Sequence, residues 1–185
     1  VLLGSVAVGV VFALVLGHTS SELIGALATE VTKVLTQLRG ESQLSGEELD
    51  KLQVALVPTL TGVMASSLQV TCLLCLMLAR YWQASLYNPG GFGREFRSLR
   101  LAPAVAVILL LGAVVVPALE VQAAVLGPLC SVPLIIAGVA LGHGLIALKR
   151  LAGGWLVGLY LAVLLLGNLI CLLAVVDSLF DFRGR

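Results

Sequence analysis

Polar and reactive side chains set inside long apolar runs are the residues of this chain that could do chemistry, and they are few. Gln69, Gln122, His143 and Asn168 fall within stretches otherwise nearly free of charge. A polar group at membrane depth is disfavoured, so each is a functional candidate by default. His143 could be hydrated near an interface, bond a neighbouring helix, or handle a ligand or proton. Gln69 and Asn168 suit interhelical hydrogen bonds, each worth ~0.6 kcal/mol. Cys72 and Cys75 form a C-x-x-C pair. A redox pair needs an exposed, electropositive helix N-terminus and a zinc site needs further ligands. Packing as small apolar groups is therefore expected for these two and for Cys130 and Cys171. Asp177 and Asp181 stand one helical turn apart without a nearby His or Cys, which suits solvation over metal binding. There is no G-x-S-x-G, H-E-x-x-H, P-loop or catalytic Cys/His arrangement. The expectation is a non-enzyme with no metal and no cofactor.

The segment from Arg80 to Leu101 is the most distinctive. Tyr81, Trp82 and Tyr87 fit an aromatic belt at headgroup depth. Asn88-Pro89-Gly90-Gly91 is a turn signal. Beyond it Phe92, Phe96 and Leu99 repeat at helical spacing, with Arg94, Arg97 and Arg100 alongside. Three uses stay open: a basic amphipathic helix on anionic headgroups, a coupling helix that docks a cytoplasmic partner, or arginines that bind a phosphate ligand. Trp82, Tyr87, Arg94, Arg97, Arg100, His143 and Asn168 are accordingly the candidate ligand or partner contacts.

The elements that must position these residues are five apolar runs, at 1–16, 52–79, 102–119, 121–148 and 155–176. A hydrocarbon core about 30 Å thick takes about 20 apolar helical residues to cross. The 185 residues are 59% hydrophobic and 11% charged, against about 25% charged in a soluble domain. Mean hydropathy is +1.10. The expected class is all-α: a single polytopic transmembrane helical bundle over 1–185, with about five membrane segments. A net charge of +1 argues against nucleic acid, which would ask for a clustered basic excess. The chain opens inside an apolar run without a methionine, so we expect a fragment preceded by further membrane segments.

Between the first two runs, Leu23, Ile24, Leu27, Val31, Val34, Leu35 and Leu38 recur at spacings of three and four. This predicts an amphipathic interfacial helix over 20–38, with Ser20 or Ser21 as its cap. Ser45-Gly46-Glu47-Glu48 reads as a capping box opening the next helix. Pro58 is expected to kink that helix, and Pro128 and Pro133 could detach the first third of 121–148. Small residues at spacing four, Gly138/Gly142 and Gly154/Gly158, mark helix-packing faces, within the bundle or toward another membrane subunit.

Orientation follows from Lys and Arg near the membrane ends. The 80–100 connection sets four arginines against Glu95 alone, and Lys149-Arg150 is purely basic. Both are expected on the cytoplasmic side. Gly17–Lys51, rich in Glu and Asp, suits the opposite side. A fifth crossing would then leave Arg183 and Arg185 outside, against the rule.

The Trp-Gln…Tyr-Asn-Pro-Gly-Gly-Phe run resembles the YybS-like family of uncharacterised bacterial multi-pass membrane proteins. Gly142-His143-Gly144-Leu145, Gly153-Gly154-Trp155-Leu156-Val157 and the Asp177–Arg183 ending carry the same resemblance. The chain differs from the family pattern at Gly93. The resemblance covers about the C-terminal two-thirds. It implies the bacterial cytoplasmic membrane and a distant relation to the substrate-capturing components of energy-coupling-factor transporters, which work with a separate ATPase module. Two functions compete: a small-solute-binding or transport component with separate energising subunits, and a non-transporting scaffold that recruits partners through the Arg-rich connection.

Overall fold

The computed structural model describes residues 2–19, 21–39 and 46–180, and every regular element among them is helical. The α-helices are α1 (Leu2–Thr19), α2 (Ser21–Arg39), α3 (Gly46–Tyr87), α4 (Gly91–Ser98), α5 (Pro103–Leu110), α6 (Val116–Leu119), α7 (Leu126–Leu148), α8 (Gly154–Leu165) and α9 (Gly167–Phe180). A π-turn, Leu111–Val115, joins α5 to α6, and a 3-10 turn, Val121–Val125, leads into α7. The Ser20 cap, the Ser45 capping box, the Gln122 side chain and the Asp181–Arg185 ending lie outside the described residues.

Two helices are long and apolar enough to cross a membrane, Val54–Tyr87 and Ala123–Leu148, or up to four if each of two bent pairs counts as one span. Gly4–Val15 is a shorter apolar helix. α3 runs unbroken through Pro58 for 42 residues. At 1.5 Å per residue that is about 63 Å, longer than a hydrocarbon core about 30 Å thick. Pro128 and Pro133 do not detach a separate piece either. Pro128 falls in the first turn of α7, where no intrahelical donor is needed, and Pro133 lies inside a helix that continues to Leu148.

The run at 155–176, expected as one crossing, is divided at Leu166. α8 and α9 meet there at a bend of 109°. Leu166 leaves helical geometry (φ −128°, ψ 37°), and its carbonyl restarts the chain by accepting from the Ile170 amide at 3.1 Å. Gly167-Asn168 supplies the local cause, since glycine is among the weakest helix formers and asparagine competes for backbone bonds. Hydropathy alone is blind to this break, because the apolar run continues through it.

α7 is the central post. Leu129, Leu134, Ala137, Ala140 and Leu141 are all buried. α9 lies so close that a Cβ on Gly138 would meet the Ile170 carbonyl oxygen at 2.8 Å. At the other end, a Cβ on Gly62 of α3 would stand 2.7 Å from the Val125 carbonyl oxygen. Gly154 and Gly158 meet nothing within 4 Å. Leu101, Ala106, Leu109, Cys130, Leu134, Cys171 and Ala174 form the main apolar core, between α5, α7 and α9. Ala13, Ala65 and Leu129 form a second, between α1, α3 and α7. On α2, Ile24 and Ala28 are buried while Leu23, Leu27 and Val34 stay exposed, so its apolar stripe is only partly covered.

Candidate functional site

The turn at Asn88-Pro89-Gly90-Gly91 folds α4 back against the end of α3. Gly90 sits at φ +79°, a left-handed conformation that favours glycine, and the Gly91 amide donates to the Asn88 carbonyl at 2.9 Å. α4 stops at Leu99, and the chain stays extended through Ala102 because Pro103 disfavours helix in the residue before it.

α4 is clasped at its charged edge and seated by its rings. Arg80 donates from Nε to Glu95 Oε2 at 2.9 Å and from Nη2 to Glu95 Oε1 at 2.5 Å, and its Nη1 donates to Gln83 Oε1 at 2.7 Å. These hydrogen bonds hold the Glu95 carboxyl below its ordinary range. A chain of ring contacts runs inward from there. Tyr81 meets Phe92 edge-on at 5.9 Å, Phe92 stacks on Phe96 at 6.0 Å, Phe96 meets His143 edge-on at 5.5 Å, and His143 meets Tyr160 at 5.7 Å. His143 Nδ1 donates to the Val139 carbonyl at 3.0 Å, which leaves Nε2 as the acceptor, 3.4 Å from the Tyr160 hydroxyl. His143 therefore joins α4, α7 and α8.

Beneath α4 lies a groove of about 400 Å³, half open to the surface, walled by Leu73, Leu76, Met77, Phe96 and Ile136 and ending at the Arg80–Glu95 pair. A second hollow of about 260 Å³ shares Met77, Phe96 and Ile136 with it and extends toward Tyr160. Apart from that ion pair, the side chains walling the first groove are apolar. A third hollow, about 560 Å³, flanks the π-turn between Gly112 and Cys130 and is equally apolar.

The structure gathers some of the candidate residues here and leaves others apart. Arg94 and Arg97 are exposed on the outer side of α4, where Arg94 Nη2 donates to Asn88 Oδ1 at 3.2 Å and Arg97 Nε to the Gly93 carbonyl at 2.9 Å. Arg100 turns the other way and bonds the end of α9. Trp82 and Tyr87 are exposed and do not face the groove. Asn168 is exposed in the first turn of α9. Gln69 is fully buried, with Nε2 donating to Ser5 Oγ at 3.1 Å, so it ties α3 to α1. Asp177 is buried, against the expectation of a solvated carboxylate, because α9 folds back under the 99–102 linker. Among the described residues no group of three or more His, Cys, Asp or Glu could hold a metal ion.

Sequence reasoning missed Met77, Ile136 and Tyr160, ordinary apolar-run residues whose convergence is a matter of tertiary packing. Arg80 and Glu95 did leave a signal: opposite charges on either side of a glycine turn. Comparison with family models, curated proteins and solved structures finds no match for this chain.

Proposed function

We propose that this chain is a multi-pass component of the bacterial cytoplasmic membrane that binds an apolar or amphipathic small solute and works with separate energising subunits. The carrying observation is the groove between α3, α4 and α7, whose apolar wall ends at a single ion pair. A hydrophilic solute would find few partners inside. The buried polar side chains among the described residues are Ser5, Thr61, Gln69, Asp177 and Ser178, none of them in the walls of the groove. The resemblance to the YybS-like family supports the reading, and these 185 residues hold no ATP-binding motif, so an ATPase module would be a separate chain. In this arrangement α1, α3, α5–α6 and α7 pass through the bilayer and α4 lies at its cytoplasmic boundary.

A thermal-shift panel on the full chain in detergent tests this. Amphipathic solutes should stabilise it, by about 2.7 kcal/mol at a hundred times Kd, and hydrophilic vitamins and ions should not. Stabilisation by hydrophilic solutes alone would end the proposal.

The exposure of Arg94 and Arg97 favours a second reading, a scaffold that recruits an acidic partner through α4. Reversing both charges should then strip co-purifying proteins, and an unchanged set of partners would remove the idea.

A further inference from the structure

α4 presents both halves of an amphiphile's chemistry on one short helix. Its inner side, Phe92, Phe96 and Leu99, forms one wall of the groove, and its outer side carries Arg94 and Arg97. We infer that the ligand of the groove is an anionic glycerophospholipid drawn from the surrounding bilayer. One acyl chain lies among Leu73, Met77, Phe96 and Ile136, and the phosphate sits at α4 beside Arg94 and Arg97. The inference rests on the reading that the groove binds a solute, and adds what the solute is.

Three observations carry it. The groove, about 400 Å³, falls in the range of about 300–1,000 Å³ typical of small-molecule sites. Apart from the Arg80–Glu95 pair at its end, its wall is hydrocarbon, aromatic ring and one thioether, which suits an acyl chain. The thioether is Met77, a flexible side chain that fits itself to irregular apolar shapes.

Charge decides the headgroup. Arg80 is committed to Glu95 and Gln83, so the rim pair is neutral as a unit. The rest of the connection is basic, with Arg94, Arg97 and Arg100 and no further acid. Arg100 bonds α9, and Arg94 and Arg97 stand exposed on the outer side of α4, the helix whose inner side walls the groove. A guanidinium offers five donors in a planar fork that suits phosphate. Basic residues at the cytoplasmic boundary attract anionic lipid at about 1 kcal/mol each, roughly a fivefold preference per charge. The clasp has a matching role: it holds α4 over the groove, so that tail and headgroup are recognised by one helix.

Native mass spectrometry of the full chain in detergent tests this with phosphatidylglycerol and phosphatidylcholine of identical acyl chains, and with inorganic phosphate. One phosphatidylglycerol should be retained, at least tenfold in preference to phosphatidylcholine. Arg94→Gln with Arg97→Gln should abolish that preference. Leu76→Trp, at a lipid-accessible position that can accept bulk without unfolding the chain, should reduce retention of both lipids tenfold or more. Equal retention of the two lipids, still sensitive to Leu76→Trp, would overturn the anionic-headgroup half and leave the groove as an acyl-chain site. Phosphate binding as tightly as the lipid would overturn the acyl-chain half. Retention indifferent to Leu76→Trp would overturn both this inference and the groove reading.

Discussion

Arg100 and Asp177 are joined across 77 residues of sequence: the guanidinium Nη2 donates to the Asp177 carbonyl at 2.9 Å, and also to that of Ser178 at 3.1 Å. Both carbonyls lie in the last described turn of α9. The linker after α4 is thereby tied to α9. Arg100→Ala should lower thermal stability by about 1–2 kcal/mol and speed hydrogen exchange around residues 177–180 of α9. Unchanged exchange there would show the bond to be idle.

The same bond bears on topology. α8 leaves the end of α7 near His143, and α9 returns to Arg100, so both ends of the bent pair lie on the α4 face. The bent pair fits either a broken span or a re-entrant hairpin that does not cross. The hairpin would keep the chain after Phe180 on the side of the 80–100 connection and remove the conflict with the positive-inside rule. Single cysteines placed at Ser85 and after Phe180 should react with an impermeant thiol reagent from the same side, in a Cys72/75/130/171 serine background. Labelling from opposite sides would restore a fifth crossing.

Glycines separate by what faces them. Gly62→Ala and Gly138→Ala would press a methyl group onto a carbonyl oxygen of another segment, and each should cost about 1–3 kcal/mol. Gly158→Ala meets open space inside a helix and should stabilise by about 0.5–1 kcal/mol. Chemical denaturation in mixed micelles gives the order. A destabilising Gly158→Ala would mean that another helix packs there.

The Arg80–Glu95 clasp has a defined pH response. Glu95 has a folded-state pKa lowered from 4.5, chiefly by the hydrogen bonds from Arg80. Its contribution is therefore fully present above that value and is lost as pH falls through the lowered one. Protection factors of the α4 amides, which allow for the slowing of intrinsic exchange in acid, should fall on acidification below pH 4.5. Glu95→Gln should show lower protection factors at neutral pH and no further fall over the same range. Parallel profiles for the two proteins would exclude the clasp.

Much of this was legible wherever the chemistry is local. The stripe of α2, the turn at Asn88–Gly91 with its left-handed Gly90, and the length of α3 follow from residues a few positions apart. Leu166 shows where that fails: the break is encoded by Gly167-Asn168, but inside an apolar run hydropathy has no register to lose. Asp177 shows a second limit. One turn of helix from another acid, it reads as solvated, and only the return of α9 under Arg100 buries it. The groove needs Met77, Phe96 and Ile136 brought together from three helices, which no spacing announces.

The groove's occupant is the central claim, and density of the full chain in a nanodisc of mixed phosphatidylglycerol and phosphatidylcholine tests it most directly. The account predicts one elongated feature between Met77, Phe96 and Ile136, with its head beside Arg94 and Arg97. A groove closed by its own side chains, with lipid no better ordered there than elsewhere on the surface, would contradict it.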